Sequence, residues 1–387
     1  MNALLPPTIA LLDRLVAHPT VSSDSNLALI EDAANLLDAA GARVDIFRDE
    51  TGKKANLYAV VGPDVAGGLL LSGHSDVVPV TDQVWQSDPF KMQRKDDMLF
   101  GRGTCDMKGF IAAALITANT LKTADLRRPL HIALTYDEEV GCLGARSLIP
   151  ELAKRDCAPA MAIIGEPTEM RVIEGHKGCC EYTARFKGRA GHGSLPDRGV
   201  NAAEYAARYV SKLIELRTAL MLRAPQHSRF QPPWTTVNVG RIEGGLAHNV
   251  IAEQATVAWE MRPVQDSDKQ FAKAEMERFV QEDLLPLMRV IAPEAEVTTE
   301  IIGEIEGLEV LDENSARDLV MKLTGADRAD VVAFGTEAGL FQNLGMSVVV
   351  CGPGAIQQAH TANEFLNIAQ LDRCLDMLGC IGQSLTA

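Results

Sequence analysis

The chain has 387 residues, 47% hydrophobic and 23% charged, an ordinary globular composition that excludes a disordered tail and, at about 150 residues per unit, leaves room for two or three compact units. Thirty-seven basic residues against 52 acidic ones give a net charge of −15. No Lys/Arg block offsets that charge, so no nucleic-acid partner is expected. The opening MNALLPPTIALLDRL lacks a basic segment before its apolar run and reads as a helix start rather than a secretory signal. The apolar stretch Gly109 to Leu121 is too short to span a bilayer, so no membrane association is expected. Eight cysteines without CxxC spacing favour reduced thiols in a cytoplasm, with Cys179 and Cys180 on opposite faces of a strand.

In chain order, apolar positions at helical spacing over Leu27 to Ala40 predict a helix, ended by Gly41 and followed by an alternating strand at Arg43 to Phe47. Short apolar runs at 57–61, 69–71, 130–135 and 161–164 then alternate with helical patterns at 107–122 and 143–152. That rhythm predicts an α/β fold with a mixed, mainly parallel sheet flanked by helices. After about Lys177 the strands become longer and more polar (181–186, 235–242, 251–261), interleaved with helices at 201–217 and near 271–280 and a Pro-rich loop at 223–233. The opening rhythm returns with a helix at 315–323, strands at 331–334 and 347–351, and helices from Glu337 and Ile368. The expected organisation is a main domain of residues 1–178 and 294–387, interrupted by an inserted α+β domain of residues 179–293.

Polar residues gather where the apolar runs end: His74 and Asp76 in GHSD, Asp106 in GRGTCDMKG, Asp137, Glu138 and Glu139 in YDEEVG, Glu166 in GEPT, and His360 in GPGAIQQAH. Ligands of α/β sheets bind beyond the carboxyl ends of the strands, so parallel strands would bring these segments together. Carboxylates with two histidines and no thiolate suit zinc, cobalt or manganese in an open catalytic site. So many acids in one place call for two divalent cations rather than one. Asp76, two residues beyond His74, is placed to hold the other imidazole nitrogen, and one acid of the Glu138–Glu139 pair is placed to carry protons.

The segments GHSDVVP, GRGTCDMKG, YDEEVGCLGA, GEPT, GHKG, AGHGSLPDRGVNA and GPGAIQQAHTANEF together resemble the dinuclear zinc amidohydrolase and peptidase family over essentially the whole chain. The resemblance implies that His74 and Glu166 bind one metal, Zn or Co, that Glu139 and His360 bind a second, and that Asp106 bridges them. It implies Glu138 as general base, Asp76 as the partner of His74, and a homodimer whose inserted domain acts as a lid. His192, in AGHGSLP, would reach the neighbouring subunit's site to stabilise an oxyanion. Asn249, Arg262, Gly335 and Thr336 match positions that hold the substrate carboxylate.

Within the family, GTEAGLFQNLG and GPGAIQQAH are most like members that release acetate from N2-acetylornithine, a small N-acyl amino acid of arginine biosynthesis. Glu337 is read two ways, as an acid attracting a cationic side-chain amine or as a cap of the next helix. Rival readings are desuccinylation of a diaminopimelate derivative, an aminoacylase or dipeptidase activity, or a non-catalytic metal-binding relative.

Overall fold

The computed structural model describes residues 1–386, which form two compact units. The first comprises Met1–Gly175, Val310–Val331 and Thr336–Ala387, and the second comprises His176–Glu309 and Val332–Gly335. Eight strands make the main sheet. At its centre Leu69–His74 lies parallel to both Leu130–Thr135 and Met161–Pro167, and Ser347–Gly352 lies parallel to Met161–Pro167. Leu69–His74 and Leu130–Thr135 are buried at every position, as continuous apolar runs covered on both faces must be. Ala55–Val61 runs antiparallel to both Leu130–Thr135 and the edge strand Arg43–Arg48. Helices Leu5–Val16, Leu27–Ala39, Gly109–Thr120 and Ile368–Ser384 bury residues in the same apolar core.

The second unit is a four-stranded antiparallel sheet in which Gln254–Arg262 pairs with Thr236–Gly244 and Cys179–Lys187, and Cys179–Lys187 pairs with Glu296–Ile305. The helix Ala202–Leu222 packs on it through Ala206, Tyr209, Leu213 and Leu216, and Asn201 caps that helix by accepting from the Ala203 N–H. Cys179 and Cys180 alternate in burial along one strand, and the described cysteines are all free thiols.

The second limit of this unit differs from the sequence expectation of residue 293. It falls at Glu309, because Glu296–Ile305 is a full edge strand of the antiparallel sheet. Its sequence, EVTTEIIGEI, is mostly exposed and interrupted by three glutamates, so it lacks the apolar run that would mark a strand. Two further pieces carried no periodic signal. These are the short strand Ile173–His176 and a three-stranded sheet of Gln93–Lys95, Met98–Phe100 and Phe365–Asn367.

Candidate metal centre

Three parallel strands end side by side, and each delivers a chemical group just past its last apolar residue. His74 closes Leu69–His74, Glu138 and Glu139 follow Leu130–Thr135, and Glu166 lies near the end of Met161–Pro167. Asp106 sits in the irregular turn Thr104–Lys108 that opens the helix Gly109–Thr120. That turn begins after Gly103, whose φ of 83° and whose closeness to Val77 leave no space for a side chain. Asp137, the third acid of the run, has a left-handed φ of 53° and points elsewhere, binding Lys54 Nζ at 2.5 Å through both oxygens.

The carboxylate of Asp106 has two occupied sides. Its Oδ1 lies 3.0 Å from His74 Nε2 and its Oδ2 lies 3.2 Å from His360 Nε2. Glu139 Oε2 is 3.0 Å from His360 Nε2, and Glu166 Oε1 is 3.8 Å from His74 Nε2. Donor atoms around a tetrahedral zinc ion with bonds of about 2.0–2.1 Å stand about 3.3 Å apart, close to these spacings. Ligand atoms of His74, Glu138 and Glu166 fit around one point, as do those of His74, Asp106 and Glu139.

Glu166 Oε1 is buried without any hydrogen-bond partner, which in a chain of ordinary proteins costs free energy unless a cation completes it. The donor set therefore fits divalent cations, with His74 and Glu166 on one side of Asp106 and Glu139 and His360 on the other.

The electrostatics point the same way. Burial drives the Glu166 and Glu138 carboxyls well above the ordinary carboxylate range, and neighbouring carboxylates add to it, Asp106 foremost at Glu166 and Glu139 at Glu138. Burial alone would also raise Asp106, but hydrogen bonds from His360 and His74 hold it well below the usual value. Hydrogen bonds to Asp106 and Glu139 push His360 up to about 10. Burial would lower His74, yet Asp106 and Asp76, with Glu166 nearby, hold it well above its ordinary value.

Asp76 holds His74 differently from the sequence expectation. His74 Nδ1 donates to the main-chain carbonyl of Asp76 at 2.9 Å, while the Asp76 carboxylate stands 3.6 Å away. A carbonyl only accepts, so Nδ1 carries the proton and Nε2 is directed at Asp106. The carboxylate instead accepts from the Glu138 N–H at 3.0 Å, the Glu139 N–H at 3.4 Å and the Ser22 hydroxyl at 2.7 Å. It fixes the main chain that presents both glutamates, and Ser22 had no signal in the sequence.

Of the two readings of Glu337, the structure removes the helix cap. It makes no side-chain cap on Ala338–Asn343; the Thr336 hydroxyl accepts the Ala338 N–H instead. Its carboxylate is 1% exposed and accepts from the Ser72 hydroxyl at 2.5 Å and the Thr135 hydroxyl at 2.7 Å. Burial raises its pKa, with those two bonds opposing.

In the second unit, His192 and Asn249 come together, since Gly191–His192 pairs with Val250–Ile251 and the Gly193 N–H donates to the Asn249 carbonyl at 2.8 Å. His192 is exposed, with Nδ1 2.7 Å from the Ser194 hydroxyl. Arg262 ends the strand Gln254–Arg262 and pairs with Glu260 at 3.1 Å. Gly335 belongs to this unit and Thr336 to the first.

Residues 70–383 match the family model described as Peptidase family M20/M25/M40. The chain belongs to this family. It is accordingly a hydrolase. It is 35% identical to the acetylornithine deacetylase of Pasteurella multocida over 390 positions, covering 99% of each chain. It is 37% identical to the acetylornithine deacetylase of Myxococcus xanthus over 379 positions, covering 97% of this chain and 96% of the relative. Among solved structures, the aminopeptidase PepT of Bacillus cereus shares the fold with a TM-score of 0.72 at 18% identity, covering 99% of each chain. An M20 family metallo-carboxypeptidase of Sulfolobus solfataricus shares it with a TM-score of 0.71 at 16% identity, covering all of both chains. Among the described residues no helix is long and apolar enough to cross a membrane.

Proposed function

We propose that the protein hydrolyses the amide of a small N-acyl amino acid, releasing acetate from N2-acetylornithine in arginine biosynthesis, with two divalent cations, Zn or Co. The observation that carries this reading is the two-sided environment of Asp106, with one histidine and one glutamate on each side. The names of relatives at 35–37% identity over nearly the whole chain support the acetylornithine substrate.

In this reading His74 and Glu166 hold one cation, Glu139 and His360 the other, and Asp106 lies between. Cations bound there supply Lewis acidity towards the amide carbonyl and acidify water. Glu138, buried and held at its main chain by Asp76, takes the proton from the attacking water and returns it to the leaving amine. His192 of a neighbouring subunit donates to the oxyanion, which makes a homodimer part of the reading. Asn249, Arg262, Gly335 and Thr336 receive the substrate carboxylate, Arg262 through its planar fork. Free thiols throughout suit a cytoplasmic enzyme.

The burial of Glu337 favours a second reading. With both oxygens already accepting from hydroxyls, it has less to offer a cationic side chain, which supports aminoacylase or desuccinylase activity as the alternative. Parallel kcat/KM measurements of the Zn- or Co-loaded protein on N-acetylornithine, N-acetylmethionine and N-succinyl-diaminopimelate test the choice, with Glu138→Gln as control. Highest efficiency on N-acetylornithine, lost in the control, supports the first reading; preference for either other compound replaces it.

A further inference from the structure

We propose that Arg102, Glu364 and Gln83 are positioning residues that set the spacing between Asp106 and His360, and thereby the affinity of the cation positions. The proposal rests on the two-cation reading above. Its elements come from the small sheet that carried no sequence signal. Phe365–Asn367 pairs with Met98–Phe100, and the Gly101 N–H donates to the Glu364 carbonyl at 2.9 Å. This register sets Arg102 and Glu364 face to face, with Nη1 donating to Oε2 at 2.7 Å and both side chains 1% exposed.

A buried ion pair is weak evidence for stability, since well-packed apolar residues often do as well. What distinguishes this pair is where its remaining hydrogen bonds go. Glu364 Oε1 accepts the main-chain N–H of Cys105 at 2.9 Å and of Asp106 at 3.1 Å, so it holds the peptide that presents the bridging carboxylate. Arg102 Nη2 donates to Gln83 Oε1 at 2.7 Å, and its guanidinium lies 5.1 Å from the centre of the Trp85 ring. Gln83 Oε1 also accepts from Trp85 Nε1 at 3.1 Å, and Gln83 Nε2 donates to the His360 carbonyl at 2.9 Å. Arg102 Nη1 reaches the Thr361 carbonyl at 3.4 Å.

One continuous network therefore begins at the main chain of Asp106 and ends at the main chain of His360. It matters most at His360, which is half exposed and has a left-handed φ of 61° that side-chain-bearing residues seldom adopt. Left alone, that backbone would relax and carry the imidazole away from Asp106 and Glu139. Outer partners of metal ligands typically change affinity by about 10–100-fold when removed.

The test uses the full-length protein stripped by a chelator and titrated with Co2+, read by calorimetry and by the visible absorption of bound Co2+. The parent is expected to bind two ions. Gln83→Leu, which frees the His360 main chain, is expected to weaken one binding event by about 10-fold or more and to leave the other within about twofold, whereas Glu364→Gln, which loosens the Asp106 carboxylate that faces both histidines, is expected to weaken both. Gln83→Leu keeps the buried Arg102–Glu364 pair, so it decides the matter if Glu364→Gln does not fold. A folded Gln83→Leu that binds both ions as the parent does, or that loses affinity equally at both, overturns the positioning role. A parent protein that takes up fewer than two ions overturns the two-cation reading itself, and this inference with it.

Discussion

Replacing Glu337 by alanine distinguishes a carboxylate that holds two strands together from one that faces substrate. The Ser72 and Thr135 hydroxyls both donate to Glu337, and all three residues are buried. A buried donor left without an acceptor costs about 1–3 kcal/mol, so two cost about 2–6 kcal/mol. Removing a desolvated carboxylate offsets part of that, leaving a loss of about 3 kcal/mol. In a unit of roughly 250 residues each kcal/mol lowers Tm by about 2–4 °C, so Glu337→Ala should melt about 6–12 °C below the parent. Glu337→Gln keeps one acceptor oxygen and an amide that the second hydroxyl can accept from, and should cost about 1 kcal/mol. Scanning calorimetry on metal-free and cation-loaded protein gives both values. The reasoning fails if Glu337→Ala melts within about 2 °C of the parent while its KM for N-acetylornithine rises about tenfold relative to N-acetylmethionine. That pattern would return Glu337 to the substrate.

Glu138→Gln should lower kcat by about 100- to 10,000-fold while the protein still takes up two cations; loss of cation uptake would instead make Glu138 a ligand. Asp76→Ala frees the main chain of Glu138 and Glu139, and kcat/KM should fall about 10–100-fold; an unchanged value would show that those N–H bonds do not position the glutamates. His131 is buried, bonded to the Tyr58 hydroxyl at 2.7 Å, and burial lowers its pKa from 6.5 to about 4. The unfolded chain therefore binds this proton first, so the stability it carries is complete above pH 6.5 and is lost as the pH falls towards 4, by about 3 kcal/mol. Chemical denaturation at pH 7 and pH 4.5 should show a smaller acid loss in His131→Gln than in the parent, and equal losses would exclude His131 as the cause.

The core of the site was readable because parallel strands deliver their carboxyl ends to one place. His74, Glu139 and Glu166 announce themselves by following apolar runs, and Asp106 and His360 by glycine-rich turns. Arg102 and Glu364 lie inside two of those segments, GRGTCDMKG and GPGAIQQAHTANEF, but nothing in the sequence pairs them, and Gln83 lies outside every such segment. A lone charged residue in a polar stretch looks solvated, and its burial depends on strands of three residues, too short for any period to emerge. The same physics hid the strand Glu296–Ile305, which is mostly exposed and whose glutamates and threonines break up its apolar positions. Asp76 was found as a partner of His74, but no spacing rule tells whether a carboxylate or its own main-chain carbonyl takes the imidazole proton. Glu337 follows Gly335 and Thr336 at a helix start, a place that suggested a cap, whereas the chain turns its carboxylate inward onto Ser72 and Thr135.

The strand Ser347–Gly352 lies beside Met161–Pro167 in the middle of the main sheet, although 180 residues separate Ser347 from Pro167 in the chain. On a ribosome adding about 5–20 residues per second, the earlier strands wait roughly 10–40 seconds for that neighbour. His74, Asp106, Glu138 and Glu166 are all made before the interval, and His360 and Glu364 after it. For that time the nascent chain carries a crowd of acids with one histidine and an unfilled sheet edge, and the last tenth of the polypeptide closes both gaps together.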